Sequence, residues 1–229
     1  AQFGGFENEW IYSGRLDNLS SCHAIAEAFA AAGALEKDFQ VAAFFNNEEV
    51  GSETREGAAG NFLKSVLENV AMSAALDSST SLRSAQNDKS LSSLVCSELA
   101  SVLSSSFALS IDMAHAEHPN FVQKHEHNHA PVLGGGVVLK MNSQKRYASD
   151  VFSNARFKLL CEQNNVPCQT FVMRNDMPCG STVGPAISAS LGIPTVDIGE
   201  PMLSMHSIRE MTSVADHEKM TSLLFAFWK

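Results

Sequence analysis

The sequence predicts an α/β fold with a central, mostly parallel sheet flanked by helices, and two observations carry that expectation. Short apolar runs, polar turns and amphipathic runs recur along the chain in the order of strand–turn–helix units. The run at 39–45 (FQVAAFF) is continuously apolar, as in a strand covered on both faces.

Taken in order, residues 10–14 read as a strand that runs into Arg15, Leu16, Asp17 and Asn18. Residues 20–32 place Ile25, Ala28, Phe29 and Ala32 at helical spacing. The strand at 39–45 stops at Asn46, Asn47, Glu48 and Glu49, and helical periodicity resumes at 61–75. Residues 77–90 are polar and poor in bulky side chains, which predicts a mobile loop. A helix follows at 91–104, then a strand at 107–111 that ends on Asp112. Further strands are expected at 137–141, 169–173 and 195–198, with helices at 150–164 and 184–191. The sequence at 207–210 (SIRE) has the form of a capping box and is expected to open a last helix reaching about Phe227.

Composition narrows the function classes. With 45% hydrophobic residues in 229, the chain can bury one sizeable core, and 18% charged residues argue against wholesale disorder. The formal net charge of −9 argues against nucleic acid or an anionic membrane as partner, since both reward Lys and Arg. No apolar run approaches the roughly 20 residues that span a bilayer, so a soluble protein is expected. Cysteines at 22, 96, 161, 168 and 179 form no CxxC and read as reduced thiols of a cytoplasmic compartment. The first residues enter a strand-like segment almost at once without an initiating Met, and the chain is expected to begin inside a larger protein.

Three clusters carry chemistry. Glu48 and Glu49 follow the apolar run; such adjacent carboxylates suit a metal ligand beside a general base, although taken alone a solvated turn is the commoner reading. Residues 112–120 (DMAHAEHPN) set Asp112 and His115 just past a strand, a combination zinc accepts. His206 lies just before the Ser of the capping box, fixed by its backbone. Alternating His125, His127 and His129 read instead as a surface loop. Asp17, Glu48, Glu49 and Asp112 all fall at the C-terminal ends of predicted strands, the edge where open α/β sheets bind ligands.

Together, RLDNL at 15–19, NNEEVGS at 46–52, DMAHAEHPN at 112–120 and PMLSMHSIREM at 201–211 resemble the M18 family of aspartyl aminopeptidases. Segments 140–148 (KMNSQKRYA), 174–185 (RNDMPCGSTVGP) and 191–199 (LGIPTVDIG) agree, so the resemblance covers nearly the whole chain. It implies a zinc-peptidase, phosphorylase/hydrolase-like catalytic domain, with residues 1–229 forming a partial di-zinc aminopeptidase domain incomplete at its N-terminus. By the same resemblance Asp17 would bridge two Zn2+ ions, Glu49 and His206 would complete one site, and Asp112 would bind the other ion. Glu48 would be the general base and His115 the donor to the tetrahedral oxyanion. Lys140 would meet the acidic side chain of a peptide with N-terminal Asp or Glu, and Tyr147 would line the pocket with His115. Oxygen-rich sites of this kind also accept Mn2+ or Co2+.

The family's His-x-Asp motif, whose His ligates the second zinc, has no counterpart here. The chain alone is therefore expected to hold the second ion weakly and to show little or no activity. The complete protein would be a homo-oligomer, a dodecamer by the resemblance. Two other readings remain: a di-zinc aminopeptidase of different specificity, and a truncated inactive paralogue that acts as an assembly or binding subunit.

Overall fold

A computed structural model of the chain describes residues 1–35, 38–78 and 88–229. Its strands are β1 (Gln2–Gly4), β2 (Trp10–Ser13), β3 (Ala108–Ile111), β4 (Ala114–His115), β5 (Val137–Met141), β6 (Cys168–Val172), β7 (Thr195–Gly199), β8 (Pro201–Leu203) and β9 (Glu210–Ser213). Its α-helices are α1 (Leu16–Ala32), α2 (Phe62–Ser78), α3 (Asp88–Ser105), α4 (Val151–Gln163), α5 (Val183–Leu191) and α6 (Val214–Phe227).

One sheet has the order β3-β7-β5-β6. Its pairs β3–β7 and β5–β6 are parallel, and β5–β7 is antiparallel. β7 is buried along its whole length, as a central strand covered by helices requires. Alternation along β5 sends Val137 and Leu139 to one face and Val138 and Lys140 to the other. Val137 and Leu139 join Ile111, Val196 and Ile198 in the main core, against Ala24 and Ala28 of α1, Phe157 of α4, and Met220, Leu223 and Leu224 of α6. Val138 lies in a smaller cluster with Ala114, Tyr147 and Phe171, so Lys140 emerges on the face that carries the pocket.

The second sheet, β1-β2-β9-β8-β4, was not foreseen. It is antiparallel except where β4 runs parallel to β8. The chain passes from β3 into β4 and from β7 into β8 side by side, so the two sheets meet where Asp112 and Gly199 cross. A Cβ on Gly199 would stand 1.9 Å from the Asp112 carbonyl oxygen; only glycine permits this approach.

Two sequence expectations fail. Residues 38–45 form no strand: Phe39, Val41 and Phe44 are exposed, while Ala42 packs on the main core. A strand needs ladder partners on its edges, and no described strand pairs with this one. The SIRE sequence caps no helix either, because Glu210 starts β9 and α6 begins only at Val214. The buried Glu210 carboxylate instead accepts hydrogen bonds from the backbone N–H groups of the nearby His206 and the distant Asp17. The capping box that does form is at Asp150, whose side chain accepts from the Ser153 N–H while Ser153 returns to the Asp150 backbone. Most of the loop expected at 77–90 lies outside the described residues. Among the described residues no helix is long and apolar enough to cross a membrane.

Candidate metal centre

All eight residues named from sequence as site residues line one cavity of about 530 Å³: Asp17, Glu48, Glu49, Asp112, His115, Lys140, Tyr147 and His206. They come from different local structures. Asp17 sits at the start of α1, where it and Asn18 depart from helical backbone angles, and Asn18 Nδ2 donates to the Ile111 carbonyl at 2.9 Å. This bond ties the entry of α1 to the end of β3, next to Asp112. Glu48 and Glu49 open a 3-10 turn entered through Asn47 in the left-handed region (φ 63°). Asp112 follows β3 directly, and Lys140 projects from β5.

Three of these residues converge most closely. One ligand atom each from Asp17, Glu49 and His206 lies within 4.8 Å of the others. His206 Nε2 is 3.0 Å from Asp17 Oδ2 and 2.9 Å from Glu49 Oε2. Asp112 lies beside Asp17 and forms an ion pair in which Lys140 Nζ donates to Asp112 Oδ2 at 3.2 Å. Lys140 is buried, with its ammonium also 5.6 Å from the centre of the Tyr147 ring.

Glu210 is the functional residue that sequence reasoning misassigned. Its two carboxylate oxygens accept from the backbone N–H of Asp17 at 3.1 Å and of His206 at 2.6 Å. One buried side chain thus fixes two of the converging residues, and it does so while His206 occupies a left-handed backbone conformation (φ 68°) that non-glycine residues adopt only at a cost. Asp197 plays a comparable part in the wall. It accepts from Ser110 and Thr182 hydroxyls, each at 2.5 Å, and from the Ala148 N–H, and so anchors the segment that carries Tyr147. Asp197 stands in the LGIPTVDIG stretch, but no role was read for it there; its place in a fully buried strand is the signal that could have flagged it as bonded. In the expected surface loop at His125–His129, His127 and Asn128 are exposed, but His125 departs from the expectation: both its ring nitrogens are buried without a hydrogen-bond partner among the described residues. Its ring packs on Phe171, 6.2 Å between centroids, and its backbone forms a bridge to Met173.

The electrostatics of the pocket fit a divalent cation. Asp17 Oδ1 is buried and has no hydrogen-bond partner among the described residues, an arrangement that is costly for a carboxylate unless a cation takes the position. Burial, and then the charge of Asp112, push Asp17 up to about 9. The same two causes, with Glu49, push Glu48 up to about 7. Oxygen and imidazole donors in this combination suit zinc. His115 opens to solvent at the pocket, yet the protein around its ring, followed by the charge of Lys140, lowers it to about 4. Its ring is therefore neutral at neutral pH, with one N–H to donate. Tyr147 is raised above its ordinary range, first by burial and then by Cys179, so its hydroxyl keeps its proton.

The family model of the aminopeptidase I zinc metalloproteases, M18, matches residues 1–228. The chain belongs to the M18 family. Aspartyl aminopeptidase 4 of Saccharomyces cerevisiae is 40% identical over 230 residues, which is 99% of this chain and 45% of that relative. Among solved M18 structures, the cryo-EM structure of the Ape4 and Nbr1 complex matches all of this chain and 41% of its own at 34% identity, with a TM-score of 0.81. The S. cerevisiae mApe1 dodecamer matches 99% of this chain and 47% of its own at 28% identity, with a TM-score of 0.75. The chain thus spans less than half the length of these M18 relatives, and its α/β architecture is that of the corresponding part of their fold.

Proposed function

We propose that the chain contributes most of the active site of an aminopeptidase that removes N-terminal Asp or Glu from peptides, using two zinc ions. The observation that carries this reading is the convergence of Asp17, Glu49 and His206 on one point beside Asp112 and the half-buried Glu48. Asp17, Glu49 and His206 would hold one ion, and Asp17 and Asp112 the second; Mn2+ or Co2+ could replace zinc in so oxygen-rich a site. Zinc, when bound, supplies Lewis acidity that acidifies water and polarises a peptide carbonyl.

The chain's own residues do the remaining work. Glu48, poised near neutrality, takes a proton from the attacking water and passes it to the leaving amine. His115, neutral, donates its N–H to the oxygen that becomes negative in the tetrahedral state. Lys140 is the one Lys or Arg among the residues lining the pocket. Once Asp112 turns to a cation, the Lys140 ammonium is left to bind the substrate's acidic side chain.

Two protein ligands are few for the second ion, so this chain by itself is expected to bind it weakly and to hydrolyse little. The full-length protein would assemble as a homo-oligomer, as the solved mApe1 dodecamer does. The five cysteines of this chain are free thiols, which suits a cytoplasmic location. The test is hydrolysis of Asp-, Glu-, Leu- and Lys-naphthylamides by the full-length protein and its Glu48→Gln variant. The acidic substrates should be cleaved fastest, and the variant should lose about 10²- to 10⁴-fold in kcat while retaining zinc. Faster cleavage of the Leu or Lys substrate, or full activity in Glu48→Gln, would contradict the proposal.

A further inference from the structure

A second cluster of titratable groups lies outside the pocket, where α1 packs against α6. His23 Nδ1 and His217 Nε2 face each other at 3.0 Å. Behind them, His217 Nδ1 meets Glu200 Oε1 at 3.0 Å, and the Ser20 hydroxyl donates to Glu200 Oε2 at 2.8 Å. Glu200 is completely buried, and His217 is its only ion-pairing side chain among the described residues. Because the carboxylate accepts at Nδ1, that nitrogen carries a proton; in the neutral ring the Nε2 lone pair accepts from His23 Nδ1–H, so a hydrogen bond joins the two rings.

From this geometry we infer a second, independent metal site in which His23 Nδ1 and His217 Nε2 bind one transition-metal ion of the Zn2+ or Cu2+ type. A carboxylate behind a ligating imidazole is the arrangement that fixes the tautomer and orientation of metal-bound histidines. The spacing fits as well. With metal–nitrogen bonds of about 2.0 Å, two cis imidazoles stand about 2.8 Å apart in a square-planar site and about 3.3 Å apart in a tetrahedral one. The observed separation lies between the two, and binding would replace the hydrogen bond: the exposed His23 would move its proton to Nε2 and its ring would turn until both lone pairs meet at the ion. The ion would also supply the positive charge that a fully buried Glu200 otherwise draws only from His217. His23 is exposed, which leaves the remaining coordination positions open to water. The site clasps α1, the helix that carries Asp17, to α6.

The test uses the full-length protein freed of any histidine tag and stripped with chelator. Cu2+ is titrated while electron paramagnetic resonance reads the number of coordinated nitrogens. The pocket offers His206 as its imidazole at the converging point, so a two-imidazole signal separates the new site from it. The wild type should bind one more equivalent of Cu2+ than His23→Ala, and the two-imidazole signal should survive His206→Ala but vanish in His23→Ala. His23 is exposed, so its replacement leaves the fold intact, which circular dichroism checks. Equal copper uptake by wild type and His23→Ala, or a two-imidazole signal lost with His206→Ala, would overturn the inference.

Discussion

Replacing Lys140 with Met should destabilise the zinc-free protein far more than the zinc-loaded one. Lys140 and Asp112 are both largely shielded from water, with side-chain exposures of 3% and 16%, and their charged atoms are 3.2 Å apart. At an effective dielectric of about 20 their attraction is on the order of 5 kcal/mol, and removing one partner of such a pair costs about 3–5 kcal/mol. The penalty arises because Asp112 is left unpaired beside Asp17. A cation bound among these carboxylates takes over the role of the ammonium, and the loss should then fall to about 1 kcal/mol. The difference of about 2–4 kcal/mol equals a 30- to 1,000-fold gain in apparent zinc affinity in the variant. Urea unfolding of both proteins, with chelator and with saturating zinc, measures this directly. The same loss under both conditions would refute the argument that Lys140 and the metal compete for Asp112.

Glu210→Gln removes one acceptor from a carboxylate that holds two backbone N–H groups, and its amide N–H would face one of them as a second donor. Zinc affinity, measured by competition with a chromophoric chelator, should fall about 10- to 100-fold, with the conservative Glu210→Asp variant recovering part of it. Asp216 gives a pH test away from the site. Burial, reinforced by the charge of Glu200, raises it above its ordinary 3.8 against the N–H bonds of Gly134 and Gly136 and the charge of Lys219. The native state therefore binds this proton more tightly than the unfolded chain. The stability Asp216 contributes is complete in acid, and it drains away as pH climbs above about 4 and through the raised native value. Asp216→Asn should flatten this decline in a series of unfolding measurements, and an unchanged slope would contradict the assignment.

How far the sequence could be read depended on the range of the interactions involved. Strands β3, β5, β6 and β7 were legible because each is a short, largely apolar stretch set off from the neighbouring helices by polar or turn residues. The pocket residues were legible because RLDN, NNEE, DMAH and SMHS keep each chemical group inside a recognisable stretch. Residues 39–45 misled because a continuous apolar run says nothing about whether a partner strand lies beside it. Glu210 misled for a related reason: the capping-box pattern is local, while one of the two hydrogen bonds its carboxylate makes reaches back to Asp17 across almost the whole chain. Of the second sheet only β2 was foreseen, at 10–14; three of its five strands have three residues or fewer, too short to show a period. The pairing of His23 with His217 is equally long-range, and neither residue stands in a motif.

The most direct test of the account is where zinc sits in a crystal of the full-length protein, located by anomalous scattering at the zinc edge. The account predicts a peak within bonding distance of Asp17, Glu49 and His206, and a second shared by Asp17 and Asp112. Anomalous density confined to the His125–His129 segment, with none beside Asp17, would contradict it.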